Sequence, residues 1–184
     1  MKRTILLVVI SLMFVSGSFA QNSKWSYELG SNVAYHANNG VWGLKINNGL
    51  EYQLNNSFSA LATISYTKSL IDWQKNAING FSLFTADLDV NYKLFNTSKG
   101  SSLNIAAGLS WFDGHEYNNV GQGSWESHEM LKDPGFNIKL RYKHALSEKL
   151  TGSINLEGYS YEHFFSEESD LLLVNVGYSI YYRF

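Results

Sequence analysis

Apolar and polar residues alternate one for one through most of the chain after its first twenty positions. In residues 41–54 one face carries Trp42, Leu44, Ile46, Leu50, Tyr52 and Leu54, and the other Lys45, Asn47, Glu51 and Gln53. In residues 83–94 Phe84, Ala86, Leu88, Val90, Tyr92 and Leu94 stand against Thr85, Asp87, Asp89, Asn91 and Lys93. In residues 135–143 Phe136, Ile138, Leu140 and Tyr142 stand against Asn137, Lys139, Arg141 and Lys143. The last segment sets Leu172, Val174, Val176, Tyr178, Ile180, Tyr182 and Phe184 against Asn175, Ser179 and Arg183. A period of two puts such sets on opposite faces of a strand, whereas a helical period would scatter them around a cylinder.

Four further segments carry the same signal less cleanly: residues 25–35, 58–66, 103–111 and 150–161. In the second of these Leu61 falls on the polar side, and in the last Ile154 and Leu156 oppose Asn155 and Glu157. The total is eight strands, mostly longer than the five or six residues usual in globular sheets. Residues 55–57, 96–102 and 146–149 are short and turn-like, while the stretches near Gln74, from 113 to 134 and from His163 are longer; 36–40 is a short exception. Even strand number, short turns at one end and longer loops at the other predict an all-β fold: an eight-stranded antiparallel up-and-down transmembrane β-barrel.

Charge decides which face meets lipid. Arg or Lys at a bilayer midplane costs about 2–4 kcal/mol, so the polar faces are expected inside and the apolar faces outside. The inward set then holds Lys45, Lys93, Lys139, Arg141, Lys143 and Arg183 against Glu28, Glu51, Asp87, Asp89 and Glu157. Near balance in a lumen that has room for little beyond side chains predicts mutual pairing that fills it. The aromatics are expected to form two interfacial belts. Trp42, Trp73, Phe84, Trp111 and Phe136 fall at the loop ends of strands, and Trp25, Tyr52, Phe58, Tyr92, Tyr142, Tyr182 and Phe184 at the turn ends.

Residues 1–20 belong to a different object. Lys2 and Arg3, a short apolar run over 5–15 and small residues at Ser18 and Ala20 predict a cleaved secretory signal peptide, leaving 21–184 as one barrel domain. Without Lys2 and Arg3 the count is 12 basic against 16 acidic residues, with no basic patch for nucleic acid. The absence of cysteine removes disulfides, thiolate metal sites and lipid anchoring through an N-terminal Cys. No cofactor is implied.

With these features the chain resembles the small eight-stranded outer-membrane barrels, the OmpX-like and OmpA-transmembrane-domain-like group, and the single-domain outer-membrane barrel proteins common in Bacteroidetes. The ending YSIYYRF is the most specific element. The resemblance implies that Tyr178, Ile180, Tyr182 and Phe184 form the signal read by the outer-membrane assembly machinery. It also implies a lipid bilayer and lipopolysaccharide as surroundings.

Fold does not decide activity. Some barrels of this size act on lipid A, and PagL-type deacylases use a His-x-Ser-Asn motif; here His163, Ser166 and Glu167 offer only His-x-x-Ser with a following acid. The stretch 113–134 contains His115, Glu116, Glu126, His128, Glu129 and Asp133, but no fixed ligand spacing, so no metal site is assigned. His36, His115, His128 and His163 fall in or beside the outer loops, and His144 at the other end. The expected role is non-enzymatic, structural, adhesive or loop-mediated through residues 113–134 to an extracellular partner. Lipid A modification and a narrow ion or solute path are the alternatives.

Overall fold

The computed structural model describes residues 24–37, 40–69, 80–97, 100–119, 125–130, 134–160 and 171–184. The signal-peptide segment, Trp73 and the candidate catalytic residues His163, Ser166 and Glu167 lie outside them. The strands are β1 (Trp25–His36), β2 (Val41–Gln53), β3 (Phe58–Ser69), β4 (Gly80–Asn96) and β5 (Ser102–Asn119). They continue as β6 (Trp125–Met130), β7 (Pro134–Ala145), β8 (Leu150–Ser160) and β9 (Leu171–Arg183). Among the described residues no helix is long and apolar enough to cross a membrane.

All pairings are antiparallel, and β1 closes on β9 from Ser26↔Arg183 to His36↔Leu173. β5 pairs with β4 on one side and with β7 on the other, from Ser102↔Lys143 to Trp111↔Pro134. Eight strands therefore complete a ring, which leaves no unpaired sheet edge around its girth. Ring strands of 11 to 18 residues meet or exceed the roughly 9–11 needed to cross hydrocarbon at a tilt.

The ninth strand corrects the reading of 113–134 as a single loop. β5 runs on to Asn119 and β6 returns beside it from Asn119↔Trp125 to Gly114↔Met130, taking the place of β7 past the ring. Its sequence, EYNN and WESHEM, lacks the apolar–polar alternation that marks the other strands, so a period-two reading passes over it. His36 is likewise not a loop residue. It ends β1 with its side chain buried in the lumen, its ring 5.2 Å from that of Phe81.

The turns at the opposite end are made by short polar side chains. Asn55 Oδ1 accepts from the backbone N–H groups of Ser57 (2.8 Å) and Phe58 (2.9 Å), closing β2 onto β3. Gly100, at φ 80°, turns β4 into β5 with its N–H donating to Thr97 O at 3.0 Å. Ser147 Oγ accepts from Leu150 N–H at 3.1 Å between β7 and β8.

The wall separates two media residue by residue. Outward Ile46 and Leu88 are 61% and 63% exposed, while their inward neighbours Lys45, Asn47, Asp87 and Asp89 are buried. A contiguous apolar exterior around the whole ring far exceeds the few hundred Å² that soluble monomers leave open. Its solvent is acyl chain. Leu61, the residue out of pattern on the polar side, is fully buried in the lumen, where the missing Cβ of Gly49 makes room for it.

Candidate functional site

The lumen is where strand geometry converges side chains from all eight walls, and its contents change along the axis. At mid-height Lys139 of β7 reaches across to β4 and donates to Asp87 Oδ2 and Asp89 Oδ2, each at 2.7 Å. The strand between them makes this approach possible. Gly108 of β5 sits beside Asp89 in register, and a Cβ there would collide with the Asp89 carboxylate and the Leu88 carbonyl. Lys45 of β2 crosses to β8, donating to Glu157 Oε2 and to Tyr159 Oη, both at 2.6 Å. Tyr159 Oη donates in turn to Asp87 Oδ2 at 2.9 Å, which joins the two groups. Asn32 Nδ2 adds a 3.3 Å bond to Glu157.

One level toward the turn end, Asn47 Nδ2 donates to Glu28 Oε1 at 2.9 Å. The buried Arg141 guanidinium lies in the field of Glu28, Glu157 and Asp89. Below it Glu51 accepts from Lys143 Nζ (2.6 Å), Ser59 Oγ (2.6 Å) and Asn91 Nδ2 (3.1 Å), and Lys143 Nζ stands 4.1 Å from the centroid of the Tyr181 ring. Lys93 and Arg183 stand lower still, half-buried and exposed respectively, in the lining of an open cavity at the mouth.

Toward the loop end the lumen turns apolar. Ala34, Phe81, Leu83, Phe112, Tyr159 and Leu173 form one buried cluster with Val41 against it, and Phe112 meets Tyr159 edge-on at 6.1 Å. This layer was not anticipated from the sequence. Its trace there is a set of places where both faces are apolar, in FSLF (81–84), WF (111–112) and LLL (171–173). Such doubling marks a strand leaving the two-media regime. The mid-height ladder and the apolar layer stack one above the other inside the ring.

On the outer wall, ring pairs gather at both ends. Trp25–Tyr52 (4.7 Å), Phe58–Tyr92 (4.9 Å) and Tyr182–Phe184 (5.5 Å) stand at the turn end, and Tyr35–Trp42 (4.8 Å) at the loop end. Phe84, Trp111 and Phe136 are exposed on the loop-ward half, and Tyr142 is exposed near the turns. Tyr178, Ile180 and Tyr182 lie on the outward face of β9, with Phe184 just beyond its end. His144 also faces outward: its Nε2 lies 3.1 Å from Tyr178 Oη across the backbone of Gly152, where a Cβ would strike both.

Of the candidate metal donors, His115 is exposed on β5, the register sets it opposite Glu129 and Glu116 opposite His128, and Asp133 lies outside the described residues. Among the residues described in full, none form a group of three or more that could hold a metal ion.

Solved structures share this architecture at low sequence identity. Neisserial surface protein A matches with a TM-score of 0.64 at 12% identity, covering 88% of this chain and 98% of that one. The N-terminal β-barrel domain of Pseudomonas aeruginosa OprF matches with a TM-score of 0.56 at 16% identity, covering 89% and 100%. Ail, the attachment invasion locus protein of Yersinia pestis, matches with a TM-score of 0.54 at 12% identity, covering 87% and 96%. No protein-family model and no curated protein matches the chain. The chain has the fold of the small outer-membrane β-barrels.

Proposed function

We propose that this protein is a plugged barrel of the bacterial outer membrane, non-enzymatic, that serves as a rigid mount for its loop end and binds an extracellular partner there. One observation carries the reading: the axis is filled by the Lys45–Glu157 and Asp87–Lys139–Asp89 pairs and capped by the Phe81–Phe112–Leu173 layer. A filled axis argues for work done outside the ring. The β5–β6 hairpin extends past the ring, and loops held on a rigid scaffold are the usual place for binding. Similarity to a protein described as an attachment invasion locus product supports the same direction. A related structure holds that protein with a heparin analogue. The stretch 113–134 here carries Asp113, Glu116, Glu126, Glu129 and Asp133 against the single cation Lys132, which fits a basic partner surface instead.

Two measurements test the reading. In planar bilayers the purified barrel is expected to give no reproducible large conductance steps, and steady open levels would overturn the filled lumen. Cells displaying the intact chain are expected to adhere to a lysine-rich coated surface in a salt-sensitive way, and cells with 115–130 replaced by a short Gly–Ser turn are not. Equal adhesion by both would remove the hairpin from the role. Loss of lipid A acyl chains that depends on His163 and Ser166 would replace the reading with an enzymatic one.

A further inference from the structure

The charges inside the barrel are not evenly spread. At mid-height Asp87, Asp89, Glu157 and Glu28 face Lys45, Lys139 and Arg141, all of them buried. At the turn-end mouth the balance reverses. A cavity of about 270 Å³ there is lined by Lys24, Lys93, Lys143 and Arg183 with Glu51 as its one carboxylate. Glu51 is committed to Lys143 at 2.6 Å, and among the described residues Lys24, Lys93 and Arg183 have no carboxylate partner. The rest of the wall supplies neutral hydrogen-bonding groups, among them Asn104 and Thr151.

Three unpaired cations around one concave, amide- and hydroxyl-rich space repel one another. Nothing in packing asks for that arrangement, since polar but uncharged residues would line the mouth equally well. A concavity lined by one sign of charge focuses the field and raises the local concentration of the opposite ion. Lys and Arg are the side chains that hold phosphate, Lys as a point charge and Arg as a planar fork.

We propose that the turn-end mouth of the lumen is a binding site for a phosphate group, held chiefly by Lys93 and Arg183 with Lys24 at the rim. Under the orientation proposed above it opens to the periplasm, although the site itself does not depend on that orientation. The phosphate can come from a water-borne anion or from a phospholipid headgroup at the inner rim of the ring. Glu51 tempers the site by neutralising Lys143 in its wall.

The full mature chain, folded in neutral detergent and titrated with inorganic phosphate by calorimetry or by NMR shifts of mouth residues, tests this. Saturable binding is expected. K93Q and R183Q should each weaken it by roughly tenfold, the loss of one charge-assisted contact, while K68Q, on the outer wall toward the loop end, leaves it unchanged. E51Q frees Lys143 and should tighten binding several-fold, a sign that mere structural damage would not produce. Heat-dependent gel mobility checks that each variant is folded. The same titration in nanodiscs with and without an anionic phospholipid separates the sources. Binding of free phosphate supports a water-borne ligand, and mouth shifts that need the anionic lipid support a headgroup. No response in either arm, or a response indifferent to K93Q, R183Q and E51Q, overturns the proposal.

Discussion

Lys139→Met should lower the unfolding free energy of the barrel by about 3–5 kcal/mol, the range for removing one partner of a buried ion pair. The measurement is equilibrium unfolding by urea in lipid vesicles. Lys139 is 1% exposed and is the shared partner of Asp87 and Asp89 at 2.7 Å. Without it two buried carboxylates, two residues apart on one strand, lose the cation that offsets their desolvation and mutual repulsion. The triple change Lys139→Met, Asp87→Asn, Asp89→Asn removes all three charges at similar volume. It should recover most of the loss, because a buried pair is worth little more than a well-packed neutral replacement. A single variant that unfolds with the parent would mean that water, not Lys139, balances the two carboxylates.

The same logic ranks the other lumenal groups. Glu157 accepts from Lys45 of β2 and from Asn32 of β1, so on β8 it sits at the meeting point of three walls. Lys143 is less buried and has Tyr181 beneath it, so its loss should cost less. The gradient in cost should therefore run from mid-height down to the turn-end mouth.

How much of this could be read beforehand follows from what a period-two pattern encodes. It encodes the two media on either side of each strand, so the ring, its strand number and its short-turn end were legible from residues such as Leu88 beside Asp89. Where the media stop differing, the pattern stops informing. The β5–β6 hairpin carries no period-two signal in its sequence and read as a loop, and the Phe81–Phe112–Leu173 layer lies inward on strands that are also apolar outward at Phe84 and Trp111 and went unnoticed. Pairing partners were also out of reach. Lys139 and Asp87 are 52 positions apart and meet because a ring brings β4 and β7 opposite one another across Gly108 of β5. Leu61 was visible as an exception, but only the neighbouring Gly49 explains why the lumen accepts it.

The second large effect belongs to the outer wall, and depth is its variable. Leu88 is the ninth of the 17 residues of β4, is 63% exposed and is paired with Ala62 and Leu109 in mid-barrel. Leu88→Arg should cost about 2–4 kcal/mol in vesicle unfolding, the midplane value for a cation facing lipid. Leu146 is similarly exposed but lies in the β7–β8 turn, and Leu146→Arg should cost about 0–1 kcal/mol because headgroups and water reach it. An aqueous exterior would make both changes nearly silent, since an exposed leucine loses little when replaced by a charge. A protein-covered exterior would instead make the cost follow packing and not height. Only hydrocarbon bounded by two interfaces gives a penalty that peaks at Leu88 and fades at Leu146.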